Sequence, residues 1–142
     1  MLVRLIYASR STVAITETVI DDLLMTSREN NPARGITGVL CLCDDHTFMQ
    51  VLEGGRDEVN QLYSRVVHDT RHTDVTLLDY AEITERRFAG WSMGQVHMTR
   101  LNPAVLLKYS ETAALDPFSV SGRATSALFE ELVATAAIMG NG

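Results

Sequence analysis

The sequence predicts an α+β domain with elements in β-α-β-β-α-β order plus one further strand, the ferredoxin-like split βαβ arrangement, followed by a helical extension. Three observations carry this expectation. Short apolar runs bounded by turn residues recur at strand-like length. Two intervening segments repeat apolar residues at helical period. The 142 residues, 46% of them hydrophobic, are enough to bury a core without disulfides or metal.

Taken in order, Leu2 to Ala8 read as a first strand, and Ser9-Arg10-Ser11 as its connection. A helix is expected over 17–30, with Thr18 and Asp21 at capping-box spacing and Val19, Ile20, Leu23 and Leu24 forming one stripe. Pro32 and Gly35 end it and turn the chain. Strands over 36–43 and 47–53 flank the polar gap Asp44-Asp45-His46, which reads as a hairpin. Gly54-Gly55 closes the second strand. A helix over 56–68 follows, with Val59, Leu62, Tyr63, Val66 and Val67 on one stripe. Two strands, 74–82 and 91–97, are joined by the charged segment Glu82 to Arg87.

The remaining chain predicts a short helix over 103–110 and a longer one from Ser121 to Ile138, with Ala124, Leu128, Leu132 and Ala136 as an apolar seam. A sheet of this type carries its two helices on one face, so the other face needs a cover. The tail is the expected cover, folding back or pairing with a second subunit. Residues 1–98 are therefore assigned to the core domain and 99–142 to the extension.

The net charge of −6 argues against non-specific nucleic-acid binding, which needs a basic surface. No apolar run approaches the ~20 residues of a membrane span, and the N-terminus lacks a signal-peptide h-region. A cytoplasmic protein without a membrane partner is expected. Cys41 and Cys43 share one face of a strand and read as buried free thiols, since two cysteines do not complete a four-ligand zinc site. The four histidines show no metal-ligand spacing, so no metal is expected. Gly54-Gly55-Arg56 precedes a helix but lacks the rest of a phosphate-loop motif.

One residue stands out. Gln50 places a carboxamide within Phe48-Met49-Gln50-Val51-Leu52, sharing a face with Phe48 and Leu52. A buried amide left without partners costs about 1–3 kcal/mol, so something polar must meet it. Tyr7, set in Leu5-Ile6-Tyr7-Ala8, is the protein candidate. Asn30 and Asn31 suit a helix C-cap, but their amides also offer a donor and an acceptor to a heterocycle. Arg65, Asp69, Arg71 and His72 lie at the end of the second helix, where cations suit the helix dipole and solvated surface is the default reading; an anionic or carbonyl-rich ligand there would recruit an Arg. Tyr7, Asn30, Asn31 and Gln50 converging on one site point to a planar ligand with several hydrogen-bonding edges. No Ser-His-Asp or Cys-His arrangement is evident, and binding with hydrogen-bond switching fits better than group transfer.

Arg4-Leu5-Ile6-Tyr7-Ala8-Ser9, Asn30-Asn31-Pro32, Gly35-Ile36-Thr37-Gly38-Val39-Leu40, Phe48 to Gly54, and Trp91-Ser92-Met93 fall in an order and spacing that closely resembles the BLUF family of flavin-binding blue-light sensors. The resemblance covers about residues 1–98. It implies FAD, or the smaller FMN or riboflavin, with its ring between the two helices. It places Asn31 on the pyrimidine edge of the flavin and Gln50 between Tyr7 and the N5/O4 edge. Arg71, His72 and Asn30 become neighbours of the ring, and Ile20 and Leu23 supply apolar packing. Ser9 matches the family's Tyr-x-Ser.

In the mechanism so implied, blue light makes the flavin a strong oxidant and Tyr7 gives up an electron and a proton. Recombination leaves the Gln50 amide rearranged and the absorption shifted to the red until dark recovery. Trp91 and Met93 share parity, so both are expected on one sheet face, passing the change to the tail. The expectation is a short, stand-alone sensor without catalytic activity, signalling through a downstream protein or as a homodimer. An acylphosphatase-type enzyme of the same fold is the alternative; it needs a phosphate-cradling Arg loop, which is not apparent. A scaffold that binds flavin without switching is the third reading.

Overall fold

The computed structural model describes residues 1–135 and 138. Five strands form one sheet: β1 (Leu2–Ser11), β2 (Thr37–Leu42), β3 (Thr47–Gly55), β4 (His72–Ile83) and β5 (Gly94–His97). Their order is β4-β1-β3-β2-β5. β3 runs antiparallel to both β1 and β2, so β1 and β2 form the split βαβ pair around it. β4 is antiparallel to β1, and β5 parallel to β2. The ferredoxin-type α+β expectation holds.

Helices α1 (Glu17–Arg34) and α2 (Arg56–His68) cover one face. Alternation along the strands builds that side from Val3, Leu5, Tyr7, Leu40, Phe48 and Leu52, packed with Ile20 and Leu24 of α1 and Val59 of α2. The intervening residues Ile6, Val39, Cys41, Met49 and Val51 face the other way. Both cysteines are buried there as free thiols. Their neighbours include Leu106 of α3 (Pro103–Leu107) and Leu128, Phe129 and Leu132 of α4 (Gly122–Ala134). The tail therefore folds back on its own sheet, and that face is not left open for a partner. Ser121 caps α4 by accepting from the Ala124 N–H at 3.1 Å. Ala136 of the expected seam lies outside the described residues, while Ile138 is buried. Among the described residues, no helix is long and apolar enough to cross a membrane.

Several boundaries differ from expectation. β1 runs to Ser11, because its edge pairs with the start of β4 as far as His72. The N-cap of α1 is Thr16, whose hydroxyl accepts from the Val19 N–H at 3.3 Å, rather than the Thr18 box. The helix continues through Asn30, Asn31 and Pro32 and stops at Gly35, left-handed at φ 66°. Proline is tolerated so near the C-terminus, where few intrahelical bonds remain to be broken. The expected strand 91–97 shortens to four residues, leaving Trp91, Ser92 and Met93 in the turn before it.

Candidate functional site

Register brings the two polar oddities together. Tyr7 on β1 lies directly opposite Gln50 on β3, and Leu40 on β2 opposes Gln50 from its other side. Both Tyr7 and Gln50 are buried. The Tyr7 hydroxyl donates to Gln50 Oε1. Burial first, then the neighbouring Tyr63 and Asp69, push the Tyr7 phenol above its ordinary range, so it keeps the proton it donates. The other end of the amide, Gln50 Nε2, donates to Met93 Sδ at 3.3 Å.

Above this pair lies a cavity of about 300 Å³ between α1 and α2, a volume suited to a small-molecule ligand. Its floor is Tyr7, Leu40, Phe48 and Gln50, and Leu62 and Val66 of α2 form one wall. Leu23, Asn30 and Asn31 line the α1 side, and Arg71 and His72 close one end. Asn31 is buried and its Nδ2 donates to the Ser92 carbonyl at 2.7 Å, leaving its Oδ1 as an acceptor. His72 Nδ1 bonds the buried Ser9 hydroxyl at 2.9 Å, and its ring packs against Phe48 at 5.8 Å. Burial holds the His72 imidazole below its ordinary range; Asp69 opposes this and Arg71 reinforces it. Arg71 in turn grips Asp69 at 2.6 Å. That hydrogen bond is the chief cause holding the Asp69 carboxyl down to about 2.

Two expected residues lie elsewhere. Ile20 is buried in the core beneath α1 and does not line this cavity; it borders a separate cleft with Leu42 and His97. Trp91 and Met93 do not share a face. Met93 packs with Tyr7 and Phe48 on the cavity side, while Trp91 packs on the opposite side against Phe88, ring centroids 6.5 Å apart. Parity failed because both precede β5, in a turn without strand alternation. Thr26, Ser27 and Arg34 also line the cavity and were not anticipated. The signal was present: 23, 26, 27, 30, 31 and 34 are one helical stripe, on which the polar residues continue the line begun by Leu23.

A family model described as sensors of blue-light using FAD matches residues 2–94. The chain belongs to the BLUF family. It is 36% identical over 93 residues to the photoactivated adenylate cyclase subunit beta of Euglena gracilis, an alignment covering 65% of this chain and 11% of that protein. The chain thus spans only a small part of the curated relatives it matches. Among solved structures, BlsA in its photo-activated state superposes with a TM-score of 0.81 at 30% identity, covering 94% of this chain and 95% of that one. The BLUF protein BlrB in its dark state gives 0.78 at 31% identity, covering 95% and 96%. The BLUF cofactor is FAD, and the cavity fits a flavin ring on its own chemistry. Apolar side chains stand on both helices and the floor, and amides with opposed donor and acceptor ends border them.

Proposed function

We propose that the chain is a blue-light sensor whose switch is the Gln50 amide, held between Tyr7 and Met93. Tyr7, Leu23, Asn30, Asn31, Gln50, Arg71 and His72 would hold the flavin. When bound, the flavin supplies the absorption of blue light and the electron-accepting chemistry that follows. The chain's own residues do the rest. Tyr7, kept protonated by burial, is the donor of the electron and proton. Gln50 presents an acceptor to Tyr7 and a donor to Met93. Rearranging one planar group therefore changes both contacts at once.

The output is conformational rather than catalytic. Trp91, Ser92 and Met93 give consecutive carbonyls to three donors: Gly38 N at 3.0 Å, Asn31 Nδ2 at 2.7 Å and Arg28 Nε at 3.1 Å. A shift of Met93 is thereby transmitted to β2 and α1, and through Trp91 to the face that carries α4. A cytoplasmic downstream protein, or a homodimer that changes with light, would read it. The exposed Leu77 and Tyr80, on edge strand β4, are among the apolar groups available for self-association.

The observation that carries this reading is the buried Tyr7–Gln50–Met93 chain at the cavity floor. A visible difference spectrum before and after blue light tests it. A reversible red shift is expected, lost in both Gln50→Leu and Tyr7→Phe; a normal shift in Gln50→Leu would sink the assignment.

A further inference from the structure

Strand β5 ends the sheet, and among the described residues it pairs with β2 alone. Its other edge therefore keeps backbone donors and acceptors that no strand takes up. Beside that edge, two clefts run end to end along α1. The first lies between Asp21, Met25, Arg28 and Glu29 of α1 and Gln95 of β5. The second continues past Glu17 to His97 and Thr99 and is bordered by Asp44 and Asp45. Asp21, Glu29 and Asp44 have no ion pair among the described residues. Arg28 donates through Nε to the Met93 carbonyl at 3.1 Å, and its Nη2 is buried with no acceptor among the described residues. Short length and flanking charge also protect a strand edge from pairing, and that accounts for the carboxylates. It does not account for an open cleft between helix and strand, for Met25 standing 55% exposed in it, or for an unsatisfied buried N–H group in its wall.

We propose that this cleft takes an extended, basic segment of a partner protein, added as a strand to the free edge of β5. Strand addition supplies main-chain hydrogen bonds, and alternate side chains find the flanking groups. Lys or Arg side chains would meet Glu17, Asp21 and Glu29, and an apolar one would cover Met25. A main-chain carbonyl entering the cleft would supply Arg28 with the acceptor it lacks. From Glu17 to Glu29 the helix rises ~18 Å, the length of about five or six extended residues. A second copy fits badly, since pairing β5 with β5 would set one acidic border against another. The proposal rests on the sensor reading above and gives its downstream protein a chemistry. Met93 directly precedes β5 and is bonded to Arg28, so the switch reaches both walls of the cleft.

The probe is a fluorescein-labelled peptide of alternating Lys and Val, about seven residues long, titrated into the full flavin-loaded chain by fluorescence anisotropy. It is expected to bind at least about tenfold more tightly than the matching Glu-Val peptide and to slow hydrogen exchange at the β5 amides. Affinity should fall at least about tenfold when the peptide is N-methylated at every residue, and in Asp21→Lys/Glu29→Lys. The red shift of that variant should match the parent's, which also shows that its fold survives. Blue light should change the parent's affinity at least about fivefold. Binding that survives N-methylation or the double substitution, or that leaves β5 exchange unchanged, overturns the docking site. So does a dimer that protects the β5 amides without peptide. Equal affinity in dark and light beside a normal red shift overturns the cleft as the output surface and leaves the sensor reading intact. A sample without a red shift overturns the sensor reading, and with it the cleft's place in signalling.

Discussion

Met93 accepts a hydrogen bond from the Gln50 amide at 3.3 Å, and its carbonyl accepts another from Arg28 at 3.1 Å. The same residue is thus held at its sulfur by the proposed switch and at its backbone by α1. A thioether is a weak acceptor, so this contact is easier to give up than one to a carbonyl. That suits a residue meant to respond.

Met93→Leu keeps most of the volume and removes the acceptor. Its stability should stay within about 1.5 kcal/mol of the parent, while the dark absorption maximum and the recovery rate both change. Met93→Ala adds a cavity and should cost about 2–5 kcal/mol. Urea titration and recovery after a light pulse separate the two effects. If Met93→Leu matches the parent in spectrum and recovery, the sulfur has no part in the switch.

Glu53 stands three residues beyond Gln50 on the same strand and is fully buried. Its carboxylate accepts from Arg4 at 2.8–2.9 Å, from the Arg87 N–H at 3.0 Å and from the Phe88 N–H at 2.8 Å. Phe88, placed this way, meets Phe129 of α4 edge-on at 5.9 Å. Glu53→Ala leaves Arg4 and two backbone donors without their partner, and a loss of about 3–5 kcal/mol is expected. Glu53→Gln should lose less, since one amide oxygen still accepts. Denaturation midpoints check the order, and an alanine variant as stable as the parent would show the anchor to be dispensable.

Much of this was legible in the sequence. Short apolar runs and two helical stripes made the element order legible, because strands buried on both faces of a sheet read as near-continuous apolar segments. Tyr7 and Gln50 were legible as polar groups in apolar strands. Their partnership required register, which follows from the antiparallel pairing of β1 and β3 and not from spacing. Trp91 misled because parity has meaning only inside a strand. The Glu53 anchor was hidden for a different reason: two of its donors are backbone N–H groups, which every sequence possesses.

The fold-back of the tail can be tested at one glycine. A Cβ at Gly122 would lie 2.1 Å from the Leu78 carbonyl oxygen of β4, a backbone atom that has no rotamer to escape into. Gly122→Ala should therefore push α4 away from the sheet and cost about 1–3 kcal/mol. Gly55→Ala, with nothing within 4 Å of its Cβ, should avoid that clash. Hydrogen exchange on α4 amides reports the difference directly. Unchanged protection in Gly122→Ala would mean that α4 does not dock as described.

The pH dependence of stability should carry the mark of His72. Its folded-state pKa lies below the ordinary value, chiefly through burial, so the folded protein favours the neutral ring. As pH falls through about 6.5, the unfolded chain takes up the proton first, and stability declines until the folded-state pKa is passed. His97 is also depressed, by burial and by Arg100, and titrates in the same direction. Asp69, at about 2, acts only in far more acid solution: its contribution is present above about 3.9 and lost below. Between pH 7.5 and 5 the urea midpoint of the parent should therefore fall more steeply than that of His72→Gln. The slope left in that variant should flatten further when His97→Gln is added. Parallel curves for the parent and His72→Gln would show that the ring at the end of the cavity is no less free to take a proton than it is in the unfolded chain.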